Sequence, residues 1–547
     1  MRSRRLCLRI GIVAFLMAGG SGVLFSAPTP EIVPERDILA TDVPAQTGVE
    51  IVDLQDGDEY PISADPVNHD IGGTVVEGAF GYNGSIPGPV LRVPVGAEIT
   101  VPFTNNLNEP TTIHWHGLRH DIRHDGVPGI SQDPVEPGET FEYKVSFPDE
   151  GIFWYHPHIR EDRQQDLGLY GLMIAYDPEE GHYTGGGDYY DREEVIVIND
   201  ILFEEDMIEG TGGRRVFPYG RDHTNMAMMG RFGTTMIVNG EKQPEFEAEA
   251  GEIVRYHIAN VASARPYRVA FEGARTRMVA SDLSTFEEAV EVDHVTVGPA
   301  ERFSVDVFYE ESGTVRVLQD APIGRRRLAS VNVSPGDADP DRWEDTWPER
   351  RELVDRDELA EFRGQEPDYS INLDIWMDWD IHGTHMRMMG GPLYQIALIE
   401  GLEWHDDHVA HNAMSTTRDI EWIMRETNQG QENLDIEMAG QTGDRLVLRI
   451  HNRADSDHPM HHPIHLHGQR MAVITQDRVP NDNLVWKDTV TVPVGETWDL
   501  LVELDQPGRW MIHCHIPEHM ESGMMAWFDV SDEDGNVPMH QAELPGH

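Results

Sequence analysis

Apolar residues along this chain fall in short runs rich in Val, Ile, Phe and Tyr, separated by clusters of Pro, Gly, Asn and Asp, with few long helical periods. That punctuation predicts strands and tight turns, hence an all-β fold. One framework recurs three times. A glycine opens a strand that ends nine positions later at an asparagine: Gly96 to Asn105, Gly251 to Asn260 and Gly443 to Asn452. A second piece follows in each copy, as Gly138-Glu139-Thr140, Ala300-Glu301-Arg302 and Gly495-Glu496-Thr497, and a glycine stands thirteen positions on, at Gly151, Gly313 and Gly508. Units of this size are too long for a solenoid repeat and read as three related β-sandwich domains. They are expected at about 47–180, 190–333 and 371–533. The stretch 334–370 is dense in charge and proline and reads as a linker or surface excursion. A length of 547 residues suits three or four domains.

The copies diverge at one place. Eighteen to twenty positions after Gly138 stands His156-Pro157-His158, and the same count from Gly495 reaches His513-Cys514-His515. From Ala300 it reaches Leu318-Gln319-Asp320. The middle copy has kept the scaffold without the histidine ligands of the other two, so a shared site is expected between the first and third domains.

Two more clusters, His114-Trp115-His116-Gly117 and His462-Pro463-Ile464-His465-Leu466-His467-Gly468, lie in the same two domains, and His519 and Met524 follow Cys514. On a strand, residues i and i+2 share a face, so each His-x-His pair turns two imidazoles to one side. Imidazole suits copper, zinc, iron and nickel alike. Cys514 narrows the choice. Its sulfur points away from His513 and His515, towards a different metal. With His462, His519 and a weak axial thioether from Met524 it makes the two-histidine, one-cysteine set of a blue copper site. Met525 competes for the axial place, and the spacing from His519 favours Met524.

Together these motifs resemble the three-domain multicopper oxidases (laccases, cuprous oxidases and ferroxidases) over roughly residues 75–532. Tyr82-Asn83-Gly84-Ser85-Ile86-Pro87-Gly88-Pro89 is similar to that family's first-domain signature. The resemblance implies an all-β chain of three consecutive cupredoxin-like Greek-key β-sandwich domains holding four copper ions. His462, Cys514 and His519 would hold the type 1 copper with Met524 axial, and His114 and His465 the type 2 copper. His116, His156, His158, His467, His513 and His515 would hold the type 3 pair. A reducing substrate would give up single electrons at type 1, and dioxygen would accept four at the other three coppers. Proton supply asks for nearby acids. Asp125, in Asp125-Gly126-Val127-Pro128, matches the family's carboxylate near type 2, its plainer reading being a turn residue. Glu518 or Glu521 is expected on the type 3 side, and Asp121 and Asp133 are weaker candidates.

The donor is read from methionines. They cluster with histidines as His223 with Met226, Met228 and Met229; as His382, His385, Met386, Met388 and Met389; and as His405, His408, His411 and Met414. Thioethers select Cu(I), and the family's exported cuprous oxidases carry Met-rich segments in comparable regions. Met386, Met388 and Met389 are therefore the expected substrate Cu(I) site, the alternative being core filling. Competing readings are a laccase-like oxidase of phenols or aromatic amines, fed through an exposed edge of His462, and an Fe(II) or Mn(II) oxidase. A non-catalytic copper store is the reading outside enzymes, against which stands a ligand set with no position lost.

Composition adds the setting. Arg2, Arg4, Arg5 and Arg9 precede an apolar run from Ile10 to about Phe25, and Ser3-Arg4-Arg5-Leu6-Cys7-Leu8-Arg9 resembles a twin-arginine export signal. Residues 1–27 are thus expected to direct export to the periplasm or beyond, with membrane attachment only if they stay uncleaved. Cys7 lies in that segment, leaving Cys514 alone in the mature chain and no internal disulfide. The net charge of −55 excludes nucleic acid as a partner. It favours cationic substrates or a surface adapted to high salt, and the near absence of lysine (Lys144, Lys242 and Lys487) points to the latter.

Overall fold

The computed structural model describes residues 50–178, 189–204, 215–347, 350–378 and 398–539. The expected export segment 1–27 and Met386, Met388 and Met389 lie outside the described residues. No helix among the described residues is long and apolar enough to cross a membrane.

Strands pair into two sheets per third of the chain. In the first third, a sheet ordered Val75–Tyr82, Ile62–Asp70, Glu98–Asn105, Thr140–Ser146 faces one ordered Ile51–Asp53, Val90–Pro94, Gly171–Tyr176, Gly151–His156, His114–His116. Period-two burial makes this possible: along Glu98–Asn105 the side chains of Ile99, Val101, Phe103 and Asn105 turn inward and their neighbours outward. The inward residues of both sheets merge into one apolar core. The last third repeats the plan, with Gly508–Cys514 between Met525–Ser531 and His462–Leu466. In the middle third, the corresponding strand Gly313–Ala321 pairs with Tyr267–Glu272, setting Gln319 opposite Val269. Gln319 is buried there and closes on the backbone, accepting from the Arg268 N–H at 2.6 Å and donating to the Pro266 carbonyl at 3.2 Å. In the other sheet of this third, the strand Ile253–Asn260 is buried on both faces. On it, Arg255 is neutralised by Asp306 at 2.6 Å.

The recurring Gly…Asn framework has a physical cause. Each asparagine is buried, and its side-chain amide ties two carbonyls together. Asn105 donates to Glu109 and Val135, Asn260 to Arg265 and Val297, and Asn452 to Met460 and Val492, all at 2.7–3.0 Å. Each asparagine's own carbonyl receives the N–H of the turn residue Gly138, Ala300 or Gly495 at 2.7–2.8 Å. Leaving such a group unsatisfied in the core costs about 1–3 kcal/mol, which accounts for its threefold recurrence. The charged stretch 334–370 forms the helices Pro340–Asp345 and Arg356–Gly364, capped by Asp339 and Asp355. It is pinned by Trp343, which lies buried under the Arg277 guanidinium at 4.4 Å, and by the buried Leu359.

Candidate metal centre

Strand pairing brings the four histidine clusters together. His114 lies opposite His156 across the first sheet, and His465 opposite His513 across the last. His158, His467 and His515 follow just beyond the strand ends. All eight histidines are buried in one cluster, where His116 stacks on His465 with ring centroids 3.7 Å apart and His114 stacks on His467 at 4.0 Å. Nitrogen atoms converge in three triads whose members lie within 4.8 Å of one another: His114, His116 and His465; His116, His156 and His515; His158, His467 and His513.

Outer hydrogen bonds decide which nitrogen faces the centre. The Nδ1 atoms of His114, His156, His465 and His513 meet the carbonyls of Asp125, Pro157, Asp488 and Cys514 at 2.7–3.0 Å. A carbonyl only accepts, so each Nδ1 carries the hydrogen and each Nε2 keeps its lone pair. His116 is turned the other way, with Nε2 against Asp488 Oδ1 at 2.8 Å and Thr489 Oγ1 at 3.0 Å. The facing atoms, His114 Nε2, His116 Nδ1, His156 Nε2, His158 Nε2, His465 Nε2 and His515 Nε2, are buried without a hydrogen-bond partner. Burial first, and neighbouring imidazoles second, push the His156, His513 and His515 rings well below the usual histidine range and His158 to about 3. Neutral imidazoles with converging lone pairs fit a group of metal ions, and carbonyl-oriented rings are what such ligands need.

A second site shares one strand with the first. Cys514 Sγ lies 3.6 Å from His462 Nδ1 and 3.7 Å from His519 Nδ1, and those two nitrogens are 3.4 Å apart. The strand alternation separates Cys514 from His513 and His515, so the sites are one residue apart along the backbone. Burial pushes the Cys514 thiol up, which disfavours a free thiolate and leaves its ionisation to a bound metal. Met524 is fully buried in the same apolar cluster and its carbonyl accepts the Cys514 N–H at 3.1 Å; Met525 begins the next strand, half-buried and opposite His513.

Asp125 joins the two halves. Its Oδ2 meets His467 Nδ1 at 2.9 Å and its Oδ1 lies 3.3 Å from His114 Nδ1. Burial opposes its charge, and His114 and His467 outweigh that, holding the carboxyl well below its usual range. Gly126 allows this placement: at φ +86° it lies where an added Cβ would stand 1.8 Å from the Ile113 carbonyl oxygen. Glu518 is buried one layer out, near Gly230, Arg231 and Asp162. Glu521 ends the helix Pro517–Glu521 at the surface, Asp121 caps the short turn Ile122–His124, and Asp133 is exposed.

Three participants went unread in the sequence. Glu161 Oε1 sits 3.2 Å from His158 Nδ1 and Oε2 3.9 Å from His156 Nδ1, three positions after His158. Asp488 contacts His116 and, through its carbonyl, His465. Arg302 of the middle third donates to both Asp488 carboxylate oxygens, through Nη1 at 2.7 Å and through Nη2. The charged pair Lys487-Asp488 in the stretch from Leu484 to Val492 marks position 488 as unusual without naming its partners.

The methionine clusters separate. Met228 and Met229 are core residues packed in the same cluster as Cys514, and Met226 is buried with Leu202 and Phe217. Met414 is 60% exposed, beside buried His408 and half-buried His405 and His411. His462 is 1% exposed, so it offers solvent no ring edge of the kind a laccase reading supposes. Trp422 covers the site instead, stacked on His519 at 4.0 Å and edge-on to His462 at 4.9 Å.

Family models described as multicopper oxidase match residues 65–180, 181–314 and 406–534, more than half of the chain. The chain is 28% identical over 500 residues to "Multicopper oxidase MmcO" of Mycobacterium tuberculosis, covering 86% of each. It is 25% identical over 499 residues to "Laccase-2" of Cryptococcus neoformans var. grubii, covering 83% of this chain and 81% of the relative. A solved multicopper oxidase from Campylobacter jejuni, described as a metallo-oxidase, is similar in fold with a TM-score of 0.64 at 20% identity, over 93% of this chain and 99% of that one.

Proposed function

The chain belongs to the multicopper oxidase family of copper-dependent oxidoreductases with dioxygen as acceptor, and from that premise we propose that its electron donor is Cu(I). In this reading His462, Cys514, His519 and Met524 would hold a type 1 copper, and His114 and His465 would hold type 2. His116, His156 and His515 would hold one type 3 ion, and His158, His467 and His513 the other, for four in all. Bound there, copper supplies one-electron uptake at the cysteine site and four-electron reduction of dioxygen to water at the histidine cluster.

The protein's own part is orientation and proton supply. Backbone carbonyls lock the ring tautomers, and Asp125 accepts from the His467 ring N–H at 2.9 Å while touching His114. Asp125 and Glu518 are the proposed proton carriers, Asp125 on those contacts and Glu518 on its burial in the helix that also carries His519. We further propose an exported setting, which the N-terminal arginines and the apolar run after them support.

One observation carries the donor assignment. With His462 buried, no ring edge is offered to an aromatic substrate, while the segment that follows Glu403, whose N–H meets His461 Nδ1 at 3.2 Å, carries His405, Asp406, Asp407, His408 and the exposed Met414. Such a set suits a small soft cation. Oxygen consumption by the copper-loaded enzyme, measured with Cu(I) and with a simple phenol side by side at high salt, tests it. Saturable Cu(I) turnover at low concentration with weak phenol turnover is expected. Strong phenol turnover indifferent to added copper would make the enzyme a laccase.

A further inference from the structure

Every side chain assigned above to the type 1 copper is sealed from solvent, with His462 at 1% exposure and Cys514, His519 and Met524 at 0%. A donor in solution touches none of them. Its electron has to cross protein, and transfer weakens steeply with each gap that lacks bonded or van der Waals contact. Closely spaced aromatic rings in sequence provide one route, because they shorten the gaps between bonded groups.

One such sequence runs outward from the site. Trp422 stacks on His519, with ring planes 29° apart, and meets His462 edge-on. Its indole is fixed, being 1% exposed and donating Nε1–H to the Ala227 carbonyl at 2.8 Å. Beyond it, the His458 ring lies 6.3 Å from the Trp422 ring, and the His408 ring lies 5.8 Å from that of His458. His408 caps the short helix Val409–Asn412, and Val409 and Met414 next to it reach solvent. Asp406 fixes this end of the route by accepting the His408 N–H at 2.8 Å, and Asp407 Oδ1 stands 3.4 Å from His408 Nε2.

We propose that His408, His458 and Trp422 form the electron-entry path of this enzyme, leading from the 405–414 surface to the His462–Cys514–His519 site. The proposal rests on the copper assignment given above and adds the point at which the donor delivers. One electron leaves the donor, a cation drawn by Asp406 and Asp407, and arrives at the copper held by Cys514. No bond forms or breaks: the donor is oxidised by one electron, the copper that Cys514 would hold is reduced by one, and the rings between them are neither oxidised nor reduced.

The test is anaerobic stopped-flow bleaching of the blue absorption in copper-loaded protein, with Cu(I) supplied as its acetonitrile complex. His458→Leu roughly keeps the volume and removes the ring; Trp422→Leu removes the ring and leaves a smaller side chain, and Trp422→Phe restores an aromatic ring. Both Leu variants are expected to bleach at least about tenfold more slowly. The Phe variant should recover most of the rate. The position of the blue band, the copper content and the rate of reoxidation by dioxygen should stay as in the wild type. Trp422 touches a ligand, so should its Leu variant lose the blue band, His458→Leu carries the test alone. Bleaching at the wild-type rate in His458→Leu, with the band intact, overturns the path and leaves the copper assignment standing. A wild-type protein that loads copper but shows no blue band overturns the copper assignment, and the path with it.

Discussion

Replacing Arg302 by methionine removes the guanidinium that ties the middle domain to Asp488 while keeping most of its length. Arg302 is 1% exposed and donates to both Asp488 oxygens, to the Ile152 carbonyl at 2.8 Å and to the Ala300 carbonyl at 3.0 Å. Without it, Asp488 keeps the His116 ring at 2.8 Å and the Thr489 hydroxyl at 2.8 Å, but no cation beside it. Taking one partner from a buried ion pair costs about 3–5 kcal/mol. In a domain of this size that is a fall of roughly 6–20 °C in melting temperature. Arg302→Met combined with Asp488→Asn also removes the stranded charge and leaves an oxygen to accept from His116, so it should recover more than half of the loss. Scanning calorimetry of copper-free protein is the appropriate assay, because bound metal would add its own stabilisation to the native state. Copper content after reloading reports whether His116 still faces the centre. A single variant that loses less than about 1 kcal/mol, against the 3–5 expected for a stranded buried charge, would refute the reasoning. So would a double variant as unstable as the single one.

Three further outcomes follow from the geometry. Cys514→Ser should abolish the blue absorption and all oxidase activity; persistent colour would remove Cys514 from the type 1 site. Gly126→Ala drives a methyl into the Ile113 carbonyl and should displace Asp125, lowering dioxygen turnover by roughly 10²-fold; steady-state oxygen uptake measures it, and unchanged turnover would mean that the position of Asp125 is unimportant. The copper-free protein should lose stability as pH falls. His458 and His158 are held at about 3 and His461 at about 4 by burial, below the ordinary 6.5, so the unfolded chain binds the extra protons between those limits. Their contribution is therefore complete above about pH 6.5 and drains away towards pH 3. Urea midpoints at pH 7.5, 6 and 5 should fall in that order, and a flat series would show that these rings are already hydrated.

The convergence of the histidine clusters was legible because they sit at strand spacing. His-x-His and His-Cys-His state a geometry as well as a composition, and the silent Leu318-Gln319-Asp320 showed which domains share the site. The all-β fold was legible in the short apolar runs, and the recurring Asn105, Asn260 and Asn452 marked one structural solution used three times. Asp488, Arg302 and Glu161 were not legible. His116 and Asp488 are 372 positions apart, and Arg302 and Asp488 are 186 apart, so only the packing of sandwiches against each other joins them. Burial was equally hidden. Nothing local tells that Met228 and Met229 fill a core while Met414 stands in water, or that Trp422 folds over His462 and His519.

The asparagine clasp bears on how copper gets in. It is made from backbone carbonyls and one amide, and no copper ligand takes part in it. The middle sandwich is the chain's own control, since it closes around Asn260 in the same way without a single ligand at the His-x-His positions. Small domains that fold around an ion have no socket until the ion arrives. Here the contacts that close each sandwich include none of the His-x-His residues, so copper is expected to load after the strands have paired. Folding and metallation can then happen in different places and at different times.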